Sequence, residues 1–144
     1  MNNVVALQTG TSATSLEVAE AEFQRFVAAM ALDVDTSTMD EEDREEFKDK
    51  KRKIVRALML GSLVIDEKGQ PVYTPQVGDD RSPITFLEPR GSSLMAMDQR
   101  KQGHNVAKSF AVLADITKVS PQRFANMFNR DIQVCLALQA LFLG

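Results

Sequence analysis

The sequence predicts an α+β domain that is mainly α-helical, with about five or six helices and a small antiparallel β-hairpin or three-stranded sheet in the middle. Its 144 residues allow one hydrophobic core. Apolar residues recur at helical spacing in the first and last thirds, and β-branched, turn-rich segments lie between them. We expect an arm over 1–14 and one domain over 15–144, divided into a helical pair (15–60), a hairpin region (62–88) and C-terminal helices (91–144).

The first helix is predicted over about 15–32, since Thr14-Ser15-Leu16-Glu17 fits a capping box at its start. The apolar positions that follow recur at helical spacing and are expected to face the core. They are Leu16, Ala19, Phe23, Phe26, Val27 and Met30. The arm before this helix mixes polar residues with Val4-Val5-Ala6-Leu7, and we expect it to be loose or to dock as a strand.

A second helix is predicted over about 40–60, ended by Gly61. Acidic residues fill its first two turns and basic residues its later turns, the order that complements the helix dipole. Its apolar positions become frequent only toward the C-terminal end. The acidic start of the helix is therefore expected to project from the body of the domain. Those apolar positions are Phe47, Ile54, Val55, Leu58 and Met59.

Two short strands are predicted at 63–65 and 72–74, around a turn that contains Gly69. Pro71 has no amide hydrogen to donate. We therefore expect its strand to lie at a sheet edge, or residue 71 to lie just outside the ladder. A third strand is predicted over 84–87.

Helical patterns return after Gly91 and predict helices over about 92–101, 105–117, 121–128 and 132–143. Ser120 and Pro121 indicate a helix start, because serine caps free amides and proline at the first position loses no needed bond. The last helix is apolar almost all the way round, whereas a surface helix needs one apolar stripe. It is therefore either central in the domain or partly an interface.

Composition and the amino-terminal residues exclude several classes of protein. The net charge of −3 argues against a protein that coats nucleic acid, because neutralising phosphates requires a positive face. One Cys and one His are too few for a zinc site, and the lone thiol indicates a reducing compartment. We expect no metal, no cofactor and no export, and no apolar segment reaches the roughly 20 residues that span a membrane.

The residues that could carry chemistry have simpler structural interpretations. Asp33-Val34-Asp35 begins like a calcium loop, but Thr38 and Arg44 stand where that loop requires Gly and Glu. Cys135 lies between apolar residues, which favours a packed core thiol, and His104 is interpreted as a surface or capping residue. Phosphate-binding, dinucleotide and nucleophile-elbow motifs are absent, so we expect no enzyme activity.

The only basic cluster lies in the second predicted helix. Contact with phosphates is one interpretation, but we favour a solvated face that the preceding acidic turns balance, since nucleic-acid binders add an excess of positive charge. The cluster comprises Lys48, Lys50, Lys51, Arg52, Lys53 and Arg56.

The C-terminal half contains short motifs in a defined order. They are Ile84-Thr85-Phe86-Leu87-Glu88-Pro89, Gly91-Ser92-Ser93-Leu94, Leu113-Ala114-Asp115-Ile116-Thr117-Lys118-Val119-Ser120-Pro121 and Phe128-Asn129-Arg130-Asp131. This order resembles the tail assembly chaperones of long-tailed bacteriophages, in which an L-x-E-P strand leads into a helix and an S-P junction opens a short helix. The resemblance covers about 84–144, and residues 1–60 have no counterpart in it.

The resemblance implies a non-enzymatic protein of the host cell cytoplasm that is absent from the mature virion. Such a protein binds the tape-measure protein, keeps that long helical chain soluble and helps recruit tail-tube subunits. A second copy or a frameshifted longer form of the chain would be a further partner. The predicted contact residues are Phe124, Phe128, Ile132, Leu136 and Phe142 near the C-terminus, and Glu41, Glu42 and Glu45, which would attract basic surfaces.

Two other functions stay open at this point. A structural virion component, such as a tail-completion or connector protein, would be found by mass spectrometry of purified particles, from which a chaperone is missing. A small DNA-binding regulator would use the basic residues from Lys50 to Arg56. The absence of duplex binding at low salt would dismiss it, because electrostatic binding is strongest there.

Overall fold

The computed structural model describes residues 13–98 and 105–143. Within them, six α-helices and a three-stranded antiparallel sheet confirm the predicted mainly helical α+β fold. The helices are α1 (Leu16–Ala29), α2 (Glu41–Leu60), α3 (Gly91–Asp98), α4 (Asn105–Thr117), α5 (Pro121–Ala125) and α6 (Asn129–Leu143). The strands are β1 (Leu63–Ile65), β2 (Pro71–Tyr73) and β3 (Ile84–Thr85), and a 3₁₀ turn spans Thr36–Thr38.

Side-chain caps define the ends of the first two helices. Ser15, and not Thr14, caps α1 by accepting a hydrogen bond from the Val18 amide. Asp40 caps α2 in the same way, and Gly61 ends it at φ 84°, the left-handed conformation that glycine adopts without strain. Helix α1 ends at Ala29, before the predicted residue 32, because the backbone turns to positive φ at Ala31.

The core lies between α1, α2, α4, α6 and one face of the sheet. Five of the six positions predicted for the buried face of α1 are buried: Ala19, Phe23, Phe26, Val27 and Met30. Leu16 is 55% exposed, so that part of the prediction is wrong. The first turn of α1 extends past the core, and residues 16–18 are all exposed.

Pro71 lies inside the ladder of the central strand, which corrects both expectations for it. The strand order is β1-β2-β3, and Pro71 is opposite Ile65. Neighbouring residues of an antiparallel strand bond to opposite sides, and Pro71 O accepts from Phe86 N at 2.8 Å on the β3 side. The amide hydrogen that Pro71 lacks would therefore point to the β3 side, at the end of β3 where the ladder stops. Leu87 N instead donates to Ile116 O at 3.1 Å, so β3 is shorter than predicted.

The β1–β2 turn packs directly on α1. Arg25 donates from its guanidinium to the carbonyls of Ile65 (2.6 Å) and Asp66 (2.7 Å). Gly69 has φ 83°, and a Cβ atom there would lie 2.2 Å from Ala29 Cβ. Both the backbone conformation and the close approach require glycine at this position.

The C-terminal helices follow the predicted order with shifted boundaries. Ser120 caps α5 by accepting from Gln122 N, and Pro121 is the first helical residue. Helix α5 is shorter than predicted, and α6 begins at Asn129 rather than Ile132. The predicted strand over Val4–Leu7 and His104 lie outside the described residues.

Replacing Gly69 by alanine is predicted to destabilise the domain more than the same change at Gly78. Both glycines have positive φ, but a Cβ atom at Gly78 has Phe128 no closer than 3.7 Å. We expect Gly69→Ala to lower the free energy of unfolding by about 1–3 kcal/mol more than Gly78→Ala, the cost typical of overpacking. Urea unfolding measures the difference, and equal losses would contradict the close packing of the turn on α1.

Candidate interaction surfaces

Two of the predicted contact residues belong to the core. Phe124 is 1% exposed and Ile132 is 9% exposed. Both side chains point into the domain from α5 and the first turn of α6, and their contact with a partner stays a prediction. Their apolar character serves packing.

The other three apolar residues of that prediction differ in exposure. Phe128 is 55% exposed, between α5 and α6, and lines a cavity of about 520 Å³ together with Val77 and Met127. Leu136 is half-buried. Phe142 is also half-buried, and its ring packs edge-on against Phe26 with 5.5 Å between centroids. Of these three side chains, that of Phe128 is the most available to a partner.

The three predicted acidic residues are all exposed. Glu41 and Glu42 lie in the first turn of α2, and Glu45 follows one turn later. Glu45 lies 3.1 Å from Lys48 Nζ within the same helix. Their carboxylates face solvent, as the expected attraction of basic surfaces requires.

Helix α6 is packed mainly within the chain. It contacts α2 and α4. Its buried apolar residues are Ile132, Cys135, Ala137 and Leu138, and its remaining large apolar side chains are half-buried against the core. Over 129–143, no large apolar side chain is mostly exposed. The structure therefore favours the central position over an interface for most of this helix.

Among the described side chains of the C-terminal half, the most exposed large apolar ones lie on α3 and α4. Leu94 is 56% exposed, Met95 is 61% exposed and Val106 is 67% exposed. We call these three residues, which are exposed on two helices that pack together, the α3–α4 patch; the name refers to the three residues and not to a contact between them. Sequence reasoning missed the patch, although four successive apolar residues at 94–97 are more than one helix face can bury. Val106 lies at helical spacing before Phe110 and Leu113, but the apolar face that these residues form leaves the core in the first turn of α4.

Hydrogen bonds hold α3 against α4. The hydroxyls of Ser92 and Ser93 donate to Asp115 Oδ2 at 3.0 and 2.6 Å. The bond from Ser93 holds the pKa of the Asp115 carboxyl below its usual value. The start of α3 is thereby tied to the end of α4, so the two helices run antiparallel. The α3–α4 patch is presented on a fixed pair of helices.

A buried carboxylate joins the sheet to the last helix. Asp131 is 0% exposed, in the first turn of α6, and accepts from Tyr73 Oη at 2.6 Å. It also accepts from the amides of Gln76 (2.9 Å) and Val77 (3.2 Å). Burial, together with the nearby Asp131 carboxylate, raises the pKa of Tyr73, which therefore stays a hydrogen-bond donor. The sequence analysis named Asp131 only as the end of a motif before the last predicted helix.

The cysteine behind this carboxylate is a core residue, as predicted. Cys135 is 0% exposed, one turn after Asp131 on α6. Burial, reinforced by the charge of Asp131, raises the pKa of the thiol to about 12. The thiol is therefore protonated at neutral pH in the folded protein.

Across residues 13–98 and 105–143, no three acidic, His or Cys side chains are grouped so that they could hold a metal ion. Nor does that part of the chain contain a helix long and apolar enough to cross a bilayer. Comparisons of the chain with protein-family models, with curated proteins and with solved structures found no match.

Removing the buried carboxylate is predicted to cost more than removing the phenol that bonds to it. Asp131→Ala leaves one phenol and two backbone amides without their acceptor, and we expect a loss of about 3–5 kcal/mol in unfolding free energy. Tyr73→Phe removes one donor and should cost about 1–2 kcal/mol. Urea unfolding compares the two variants. Hydrogen exchange should also show faster exchange of the Gln76 and Val77 amides in Asp131→Ala alone, and unchanged exchange there would argue against the network.

The thiol of Cys135 is predicted to resist a disulfide reagent at pH 8 until the protein unfolds. Only the thiolate reacts, and a pKa of about 12 leaves very little thiolate in the folded state. In the unfolded state the thiol returns to its ordinary pKa near 9, so labelling should become fast in urea. Rapid stoichiometric labelling of the native protein would contradict the burial of α6.

Proposed function

We propose that this protein is a tail assembly chaperone of the kind found in long-tailed bacteriophages. In this proposal it acts in the host cell cytoplasm, binds the apolar helical tape-measure protein, keeps it soluble until tail-tube subunits are added, and leaves before the tail is complete. The observation that carries the proposal is the α3–α4 patch, whose three large apolar side chains are 56–67% exposed on a fixed helix pair.

The chemistry of the patch fits a helical, apolar client. A helix that presents a stripe of apolar side chains can cover exposed apolar side chains of this kind and remove them from water. The methionine adapts its shape to different neighbours, which suits a binder of a long and variable chain. The bonds from Ser92 and Ser93 to Asp115 hold α3 in place before binding, which lowers the entropy lost on association.

The positions of the motifs also support the proposal. Leu87-Glu88-Pro89 follows β3 and leads into α3, Ser120 and Pro121 open α5, and Asp131 lies in the first turn of α6. The start of α5 matches the S-P junction of the resemblance, whereas the segment that ends in Pro89 lies after β3 and not within a strand. The exposed carboxylates at the start of α2 add a surface for basic regions of the tape-measure or tail-tube protein.

A charge placed in the patch is predicted to abolish client protection while leaving the fold intact. We would co-express the chain with the tape-measure protein of the same genome and measure soluble client. Leu94→Glu should lower the yield at least about tenfold, because burying a leucine contributes about 1.5–3 kcal/mol. Leu16→Glu is the matched control, since Leu16 is a leucine of nearly equal exposure on α1, 55% against 56%.

The possible outcomes distinguish an error in the contact site from an error in the proposed function. Equal protection by wild type, Leu94→Glu and Leu16→Glu would show that the contact lies elsewhere on the chaperone. If the wild-type chain does not raise soluble client, the chaperone proposal is wrong. Mass spectrometry of purified particles would then test the virion-component alternative.

A further inference from the structure

A row of charged side chains runs along the exposed face of α2. Its members recur every three or four residues, which places them one above another along a helix, and every one is exposed. We call them the charged row: Glu41, Glu45, Lys48, Arg52 and Arg56. The row is acidic in its first half and basic in its second half.

Ion pairs within the chain involve the middle residues of this row and not the residues at its two ends. Lys48 lies 3.1 Å from Glu45, and Arg52 lies 2.8 Å from Asp49. Among the described residues, Glu41 and Arg56 take part in no ion pair. The two ends of the row therefore present opposite charges to solvent, about 22 Å apart for fifteen residues of helix at a rise of 1.5 Å.

The charged row is complementary to itself when a second copy runs antiparallel. With a two-fold axis at the middle of the row, both acidic positions of the row lie opposite basic positions of the second copy. The opposed pairs are Glu41 with Arg56 and Glu45 with Arg52, and Lys48 lies beside the axis without an acidic partner in the row. A parallel pairing in register would instead place like charges together, which is repulsive. The antiparallel arrangement also closes as a dimer, because both copies use the same surface.

A recess beside the basic half of the row offers room for the acidic half of the second copy. It has a volume of about 490 Å³, and Arg52, Arg56, Leu60 and Arg130 are among its lining residues. Arg130 forms none of the ion pairs found in the described part of the chain. Leu60 is 63% exposed at its edge and would lose contact with water on pairing.

We propose that α2 is a homodimer face, on which two copies of this chain pair antiparallel through the charged row. Exposed ion pairs are individually weak and are screened by salt. The dimer therefore forms at high protein concentration and low ionic strength, and dissociates as salt is added. This proposal stands apart from client binding, which uses the α3–α4 patch on other helices.

Sedimentation velocity tests the salt dependence with the whole chain. At about 20 mM salt the screening length is about 20 Å, and protein at about 100 µM should sediment as a dimer. At about 0.5 M salt it should sediment as a monomer, since the screening length falls to about 4 Å. A monomer at low salt, or a dimer that salt leaves unchanged, would overturn the proposal.

Two charge-reversal variants test the register. Glu41→Lys with Glu45→Lys makes the row wholly basic, and Arg52→Glu with Arg56→Glu makes it acidic at every position except Lys48. Each variant alone should be monomeric at low salt, and their equimolar mixture should recover a dimer that contains one copy of each. Failure of the mixture to dimerise, with both variants folded by circular dichroism, would overturn the antiparallel register.

Two further variants separate pairing from folding and from net charge. Glu41→Gln with Glu45→Gln removes the charges of the acidic half without adding cations near the helix start. This variant should weaken dimerisation at least about tenfold, because two attractive pairs are lost on each side. Glu67→Lys changes an exposed charge on the β1–β2 turn and should dimerise like wild type. If Glu67→Lys weakens the dimer as much as the glutamine variant does, net charge explains the association and the α2 face does not.

Discussion

The buried carboxylate of Asp131 is the interaction on which the arrangement of the C-terminal half depends. Removing a charge from water is costly unless donors replace the lost hydration. Here one donor is the phenol of Tyr73 on the central strand, and two are backbone amides of the loop that follows it. The sheet, the loop and the start of α6 must therefore take their places together. A helix end, a loop conformation and a strand register are fixed by one side chain.

The elements that depend on nearby residues could be predicted from the sequence. Ser120 and Pro121 fix the start of α5, and Gly61 fixes the end of α2, because caps and turns act within a few residues. The role of Asp131 could not be predicted, since its donors lie 54–58 residues away in the chain. Pro71 was misplaced for a similar reason. Whether Pro71 has a ladder partner on its β3 side depends on where β3 ends. That strand ends where Leu87 N donates to Ile116 O of α4.

The candidate surfaces show a second limit of sequence patterns. Periodicity identifies which face of a helix is apolar, but not how far along the helix that face stays covered. Leu16 and Val106 both continue an apolar face into a first turn that lies beyond the core, and both are exposed. Phe124 shows the converse, since an aromatic residue on a short helix near the C-terminus is fully packed. The acidic residues of α2 were placed correctly, because charged side chains at a helix start rarely find a buried position.

The long separation between Tyr73 and Asp131 also has a consequence for the order of events during protein synthesis. The central strand leaves the ribosome before the carboxylate that will bind its phenol has been made. At about 5–20 residues per second, the intervening chain takes about 3–12 seconds to synthesise. During that interval α1, α2 and the hairpin can associate, but the loop after β2 has no acceptor for its amides. Complete folding of this domain is therefore expected only after α6 has been synthesised.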